Sequence, residues 1–287
     1  MLNSVFKSFC IWEKLKLFIL AKDSLYGMRL TRVIGIVSGK GGVGKTTFSI
    51  NLGIALGNLG KRALVVDCNV TTPHLAYYLG AENYSVTLND IFREEVDVKF
   101  APLCREGVMF IPASEDLRDI INLDIGNLRK NITKLVNNGI YDFIILDSAP
   151  GLGREALSVL HACDEIIFVT TPTIPTLTDV TRCAQVASRM GHRKFNIVLN
   201  MVRNKSYELK ALQARSFFRT PILGSIPFDE NVMDSTSLGI PMMWYKCKSK
   251  VSDNYREVAA NLAGVKYKNP SFFQKISRKL KRLIIKA

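Results

Sequence analysis

Ser38-Gly39-Lys40-Gly41-Gly42-Val43-Gly44-Lys45-Thr46-Thr47 restricts what this 287-residue chain can become more than any other stretch. Gly39, Gly44, Lys45 and Thr46 take the defining places of G-x-x-x-x-G-K-[ST], a loop whose glycines let backbone N–H groups face a polyphosphate. The apolar, β-branched run Val33-Ile34-Gly35-Ile36-Val37 precedes it, and residues 48–56 follow with apolar side chains at helical spacing. Strand, glycine loop and helix therefore come in the order that sets phosphates on a helix N-terminus, where partial positive charge gathers. In such a loop Lys45 reaches the β- and γ-phosphates and the Thr46 hydroxyl ligates Mg²⁺. A glycine turn that only joined strand to helix would not need Lys-Thr at these two places. The stretch predicts nucleotide binding.

The rest of the pattern agrees. Apolar strand runs at 33–37, 63–66, 108–111, 143–146, 166–170, 196–199 and 222–223 alternate with helical segments at 46–59, 127–136, 154–160, 177–190, 208–217 and 252–262. Alternation of this kind predicts an α/β fold: a mostly parallel sheet with helices on both faces and the ligand at the carboxyl ends of the strands. With no repeat and no low-complexity linker, one domain over 32–264 is the economical reading, flanked by an extension at 1–31 and a tail at 265–287.

Two aspartates end strand runs. Asp67 closes Val65-Val66-Asp67 and Asp147 closes Ile144-Ile145-Leu146-Asp147. A carboxylate at a strand end beside a phosphate site is placed to hold water bound to Mg²⁺. His74, beside Pro73, reads as a helix-start residue and is given no catalytic role.

Lys40 stands five residues before Lys45, which ordinary phosphate loops do not require. The octet Lys40-Gly41-Gly42-Val43-Gly44-Lys45-Thr46-Thr47 resembles the deviant loop of the MinD/ParA family of P-loop ATPases, closest to MinD-like septum site-determining ATPases. The resemblance implies that ATP and Mg²⁺ bind here and that Lys40 contacts phosphate held by a partner subunit, hence an ATP-dependent homodimer. It makes Asp147-Ser148-Ala149-Pro150-Gly151 similar to the Walker B strand end and the switch after it. It sets Asp67 at the first place of a D-x-D pattern, but Asn69 stands where the second aspartate, associated with the attacking water, is usual. An amide orients water by hydrogen bonds and cannot take its proton, so hydrolysis is expected to be slow. Asp179 falls near the family's dimer-forming surface. Asn200 and Pro227 look like its base-binding elements, the amide for the adenine edge and the ring against its face.

The net charge of +14 lies at the ends: residues 266–287 carry +8 with no acid, residues 1–32 carry +4, and the core carries the remaining +2. Cys10, Cys68, Cys104, Cys163, Cys183 and Cys247 form no C-x-x-C pair, which argues for a reducing cytoplasm and against a disulfide framework or a closed zinc site. It also separates the chain from nitrogenase-type reductases and Mrp-like iron–sulfur carriers. Residues 1–27 are too charged for a membrane span and lack a cleavage site, and Met28 is the favoured native start.

The tail is different. At ~100° per residue Phe272, Phe273, Ile276, Leu280, Leu283 and Ile284 share one arc, with Lys275, Arg278, Lys279, Lys281, Arg282 and Lys286 opposite and Ile285 the one misfit. Large apolar residues facing clustered cations predict a helix lying in an anionic membrane interface, as MinD-type chains carry. The expectation is an ATPase switch that homodimerises, attaches to the inner face of the cell membrane from the cytoplasm, and answers to an unidentified activator or cargo protein. Two alternatives stand beside it: a ParA-like partition protein that binds DNA nonspecifically, and a hydrolysis-poor ATP-binding scaffold.

Overall fold

The computed structural model describes residues 31–81, 83–119, 125–210, 213–214 and 220–267. Eight strands form one sheet: β1 (Arg32–Val37), β2 (Ala63–Cys68), β3 (Leu103–Arg105), β4 (Val108–Ile111), β5 (Phe143–Ser148), β6 (Glu165–Thr170), β7 (Phe195–Val202) and β8 (Ile222–Pro227). Their order is β3-β4-β2-β5-β1-β6-β7-β8. Every pair is parallel except the β3–β4 hairpin. The sheet is the mostly parallel one the alternation predicts. β1 lies at its centre, and the strand that follows β1 in sequence lies on one side while β6 lies on the other. Such a reversal opens a crevice at the carboxyl ends of the strands.

The central strands β1, β2, β5 and β6 are buried on both faces, which is why they read as unbroken apolar runs. Val33 and Val37 enter one core with Leu64, Val66, Ile144, Leu146, Ile166 and Phe168; Ile34 and Ile36 enter the other with Val65, Ile145, Ile167 and Val169. The first core is covered by α4 (Leu128–Asn137), α5 (Arg154–Ala162) and α6 (Ile174–Arg189), through Leu128, Ile132, Val159, Leu177 and Val180. The second lies under α1 (Lys45–Asn58) and α9 (Lys250–Ala263), through Phe48, Leu52, Leu56, Tyr255 and Val258. Helix α1 packs on the sheet and against α9, which itself rests on β8, so α1 is apolar nearly all round. Among the described residues there are also the short helices α2 (Leu75–Tyr78), α3 (Leu88–Phe92), α7 (Glu230–Ser237) and α8 (Met242–Tyr245).

Several elements depart from the sequence reading. β3, α2, α3, α7 and α8 were not expected, and β8 runs four residues past its expected end at Leu223. Helix α6 begins at Ile174, three residues early, because Pro175 sits in the first turn, where its missing N–H has no helical partner to lose. Half of the helix expected at 208–217 falls outside the described residues; 208–210 are not helical, and 213–214 are. The extension at 1–30 and the membrane face expected at Phe272, Phe273, Ile276, Leu280, Leu283 and Ile284 also lie outside them.

Candidate nucleotide-binding site

The glycine loop runs from the end of β1 into α1 at the sheet's central crevice. Ser38 is buried, and its Oγ donates to the Lys40 carbonyl at 2.7 Å, tightening the loop from within. The Gly151 N–H donates to the Ser38 carbonyl at 3.0 Å, so the segment after β5 docks on the loop directly. A Cβ on Gly39 would lie 2.4 Å from the Cβ of Asp179 and 2.7 Å from its carbonyl carbon. Asp179 is therefore the backbone wall of the loop, and its carboxylate turns to Arg182 at 3.8 Å.

Gly44 meets two demands at once. Its φ of +85° is left-handed, and a Cβ there would lie 2.6 Å from Asn200 Nδ2 and 3.3 Å from Met201 Cε. As the N-cap of α1 it offers no side chain to the first-turn N–H groups, which have no intrahelical partner and stay available to an anion. Gly44→Ala is expected to break the Asn200–loop contact and weaken nucleotide binding about tenfold, through strain of about 1–2 kcal/mol in the left-handed region. Titration with a fluorescent ATP analogue reads this directly; unchanged affinity would mean the loop does not set the site.

Lys45, at the head of α1, is only 8% exposed. Burial lowers its pKa, and Asp147 beside it pulls the other way. The Asp147 carboxylate is fully buried: Ser49 Oγ donates to Oδ1 at 2.9 Å, and Oδ2 has no partner. Burial raises its pKa, while Thr46 and Lys45 hold it down. Asp67 pairs with Asp147 in the β2–β5 register. Its Oδ1 accepts from the Asn69 N–H at 3.0 Å and its Oδ2 from the Leu75 N–H at 3.1 Å. Burial, then the charge of Asp147, pushes Asp67 up to about 8.

Hard oxygens from Thr46, Asp67 and Asp147, one of them orphaned, beside free helix-start N–H groups, are the donor set that Mg²⁺ with a polyphosphate takes. The structure thus brings together Lys45, Thr46, Asp67 and Asp147. Lys40, Gly41 and Gly42 form the exposed rim of the loop, and Val43 is buried under it.

Asn69 points elsewhere. Its Nδ2 donates to the Thr72 carbonyl at 2.6 Å and its Oδ1 accepts from the Thr72 hydroxyl at 3.2 Å, so both ends of the amide are used inside its own loop. Asn200 Nδ2 donates to the Val43 carbonyl at 2.8 Å, which leaves its oxygen to face a donor such as an exocyclic amine. Asn200, Pro227 and Thr47 line one small cavity of about 50 Å³ with Met201 and Tyr255. Arg203 stacks its guanidinium 3.6 Å from the ring centroid of Phe228, which also lines that cavity. A wider cavity of about 670 Å³, bordered by Ile174, Leu199, Tyr207 and Lys250, shares Pro227 but holds no residue of the phosphate loop. The loop chemistry, not the larger volume, locates the site.

Residues that sequence reasoning missed are Ser49, Arg203 and Tyr255. Only Ser49 carried a signal: four residues after Lys45, it lies on the same helix face.

Residues 29–263 match a family model described as ParA, NUBPL iron-transfer P-loop NTPase. The iron-transfer part of that description finds no C-x-x-C pair in this sequence, and among the described residues no group of three or more His, Cys, Asp or Glu could hold a metal. An uncharacterized ATP-binding protein of Methanocaldococcus jannaschii is 32% identical over 254 residues, covering 86% of this chain and 96% of its own. The septum site-determining protein MinD of Thermotoga maritima is 28% identical, covering 81% of this chain and 88% of its own. Among solved structures, MinD of Pyrococcus horikoshii complexed with Mg-ADP superposes with a TM-score of 0.77 at 33% identity, covering 81% of this chain and 96% of that one. MinD in the MinC:MinD complex of Aquifex aeolicus gives 0.75 at 26%, covering 83% and 98%. The chain belongs to the ParA family of P-loop NTPases, within its MinD-like septum site-determining ATPases.

Proposed function

We propose that this chain is an ATP-driven switch that binds ATP with Mg²⁺, pairs with a second copy and attaches reversibly to an anionic membrane surface, there to position a division site or another cell structure. The observation that carries the reading is the cluster at the head of α1: a buried Lys45 beside a buried Asp147 carboxylate whose second oxygen has no partner. Its relatives point the same way, one solved with Mg-ADP and one in a complex with MinC, which supports nucleotide as ligand and a protein as partner.

Bound Mg²⁺ would supply charge neutralisation on the β- and γ-phosphates. The protein's own share is positional. The N–H groups of Gly41 to Thr47 cradle the phosphates, Lys45 donates to the β- and γ-oxygens, and Thr46, with Asp147 and Asp67 behind it, holds the metal side. Asn200 takes the exocyclic amine of adenine, and Pro227 flanks the ring. Lys40, exposed at the loop's rim, reaches the phosphates of the second copy. Turnover is slow, because the amide of Asn69 is occupied by Thr72.

Membrane attachment falls to residues 271–286. Each Lys or Arg near an anionic leaflet contributes ~1 kcal/mol, and ordering the segment opposes this, so one copy binds weakly. Two copies on one dimer act at a raised effective concentration, and affinity climbs by orders of magnitude. Attachment of this kind is peripheral. No helix among the described residues is long and apolar enough to cross a membrane. Co-sedimentation with vesicles containing phosphatidylserine or phosphatidylglycerol is expected to require ATP or a non-hydrolysable analogue, to fail with ADP, and to vanish when 270–287 are deleted. Undiminished pelleting of the truncated chain rejects the membrane reading. ATP-dependent DNA retention by that truncated chain, weakening steeply with salt, would favour the partition reading instead.

A further inference from the structure

The loop after β5 lies beside the phosphate loop and the loop after β2 lies next beyond it, and a carboxylate joins the two. Residues 69–74 leave β2 beyond Asp67, and residues 149–153 leave β5 beyond Asp147. Glu155, in the first turn of α5, accepts both the backbone N–H and the hydroxyl of Thr71 on the same oxygen, Oε1, each at 2.8 Å. The two residues are 84 positions apart, so this is a tertiary contact and not turn chemistry.

What it grips matters. Thr71 stands between Asn69 and Thr72, whose side chains bind each other across it. Asp67 holds the same loop from below through the N–H groups of Asn69 and Leu75. On the far side, Gly151 is docked on the Ser38 carbonyl. Glu155 therefore fastens the apex of the Asn69 loop to an element already fixed against the phosphate loop.

We propose that Glu155 is a positioning residue: its bonds to Thr71 hold the Asn69 loop in a resting arrangement and restrain ATP turnover until they open. The proposal rests on the reading of the chain as an ATPase. In hydrolysis a water oxygen bonds to the γ-phosphorus as the bond from that phosphorus to the β–γ bridging oxygen breaks. ADP leaves with the electron pair, and the water's proton ends on phosphate. Glu155 touches none of these atoms. Asn69 can turn its amide toward that water only when it leaves Thr72, and a pinned Thr71 keeps Thr72 in place to hold it. Release of Thr71 therefore loosens the Asn69–Thr72 pair. Bonds to a carboxylate are stronger than those between neutral groups, so the clamp outweighs the Asn69–Thr72 pair.

Hydrogen exchange on the nucleotide-free full chain tests the clamp without reference to ATP. Amides in 69–75 are expected to exchange about tenfold faster in Glu155→Ala, a loss of about 1.4 kcal/mol of protection. Thr71→Val, which keeps the N–H bond, should show a smaller effect, and the double variant should match Glu155→Ala. Single-turnover ATP cleavage is expected to rise about five- to tenfold in Glu155→Ala with ATP affinity unchanged, while Glu155→Gln, which keeps an acceptor at the same reach, restores most of the restraint. Unchanged exchange in Glu155→Ala, additive effects in the double variant, or turnover that falls or stays level overturns the proposal. A wild-type chain that binds no ATP sinks the ATPase reading instead, and the exchange arm still judges the clamp.

Discussion

Replacing Lys45 with alanine is expected to lower ATP affinity by two orders of magnitude or more while the far-ultraviolet circular dichroism stays native. The side chain is 8% exposed, and the charge nearest to it is the carboxylate of Asp147, so its ammonium sits where water screens poorly. A hydrogen bond to a charged group contributes about 1.5–3 kcal/mol, and a low local dielectric strengthens it, so about 2.7 kcal/mol or a hundredfold is the natural scale. Arginine should not restore the site, because a planar fork cannot take the place of a compact ammonium between Asp147 and the loop. Titration with a fluorescent ATP analogue reads the loss; a change of tenfold or less would remove Lys45 from the phosphate contact. Lys40→Ala makes the contrast. Lys40 is exposed at the rim, so the variant should bind ATP nearly as wild type does and fail to dimerise by light scattering.

Why these two lysines could be singled out from sequence, and others could not, follows from where information sits along the chain. The phosphate loop is local: its strand, its glycines and its helix are contiguous, so spacing alone fixes which groups converge. The central strands β1, β2, β5 and β6 are buried on both faces and show as continuous runs of Val, Ile and Leu. β8 was cut short because Gly224, Ser225 and Pro227 interrupt its apolar run, and it is buried on fewer sides, with five of its six residues only partly covered. β3 is three residues long and lies in a hairpin, too short to show a period. The four-residue helices α2 and α8 cover barely one turn and show no period either.

At the site the divide is the same. Asp67 and Asp147 were legible as strand-end carboxylates. That Asp67 serves mainly to gather the N–H groups of its own loop was not, nor was the use of Asn69 against Thr72. Contacts such as Asn200 to Val43, 157 residues apart, depend on how β7 sits relative to the loop, which no local pattern encodes.

The strongest pH dependence is expected from the pair of buried aspartates. The Asp67 carboxyl, at about 8 in the fold, compares with about 3.9 in an unfolded chain. Between those values the folded chain holds a proton that the unfolded chain has released. The unfolded state then binds fewer protons than the native one, and stability falls as pH rises through the window. The contribution is fully present below about pH 4 and is lost by about pH 8. The proton belongs to the pair, since the charge of Asp147 is the second cause of the shift and Asp147 is itself raised by burial. Lys45 works in the opposite sense, its penalty easing as pH rises through its own lowered value.

Asp147→Asn separates these effects. It removes the like charge beside Asp67 and gives the partnerless position an amide that can donate toward Asp67, its register partner. The nucleotide-free variant is expected to be more stable than wild type at pH 8 by about 1–3 kcal/mol, the scale of a buried polar group relieved of its penalty, with the gap closing by pH 5. Urea denaturation at the two pH values measures it. On the proposed reading Mg²⁺ and ATP together stabilise the wild type, and the same variant is expected to lose that effect, because it removes the charge that would face the metal. A wild type that grows more stable from pH 5 to pH 8, or a variant no more stable than wild type at pH 8, would show that the two carboxylates are not in conflict in the empty fold. The opposed changes, a firmer empty protein and a site that no longer answers to metal, are what a switch set by ligand charge requires: its resting state is kept marginal by the groups that its ligand neutralises.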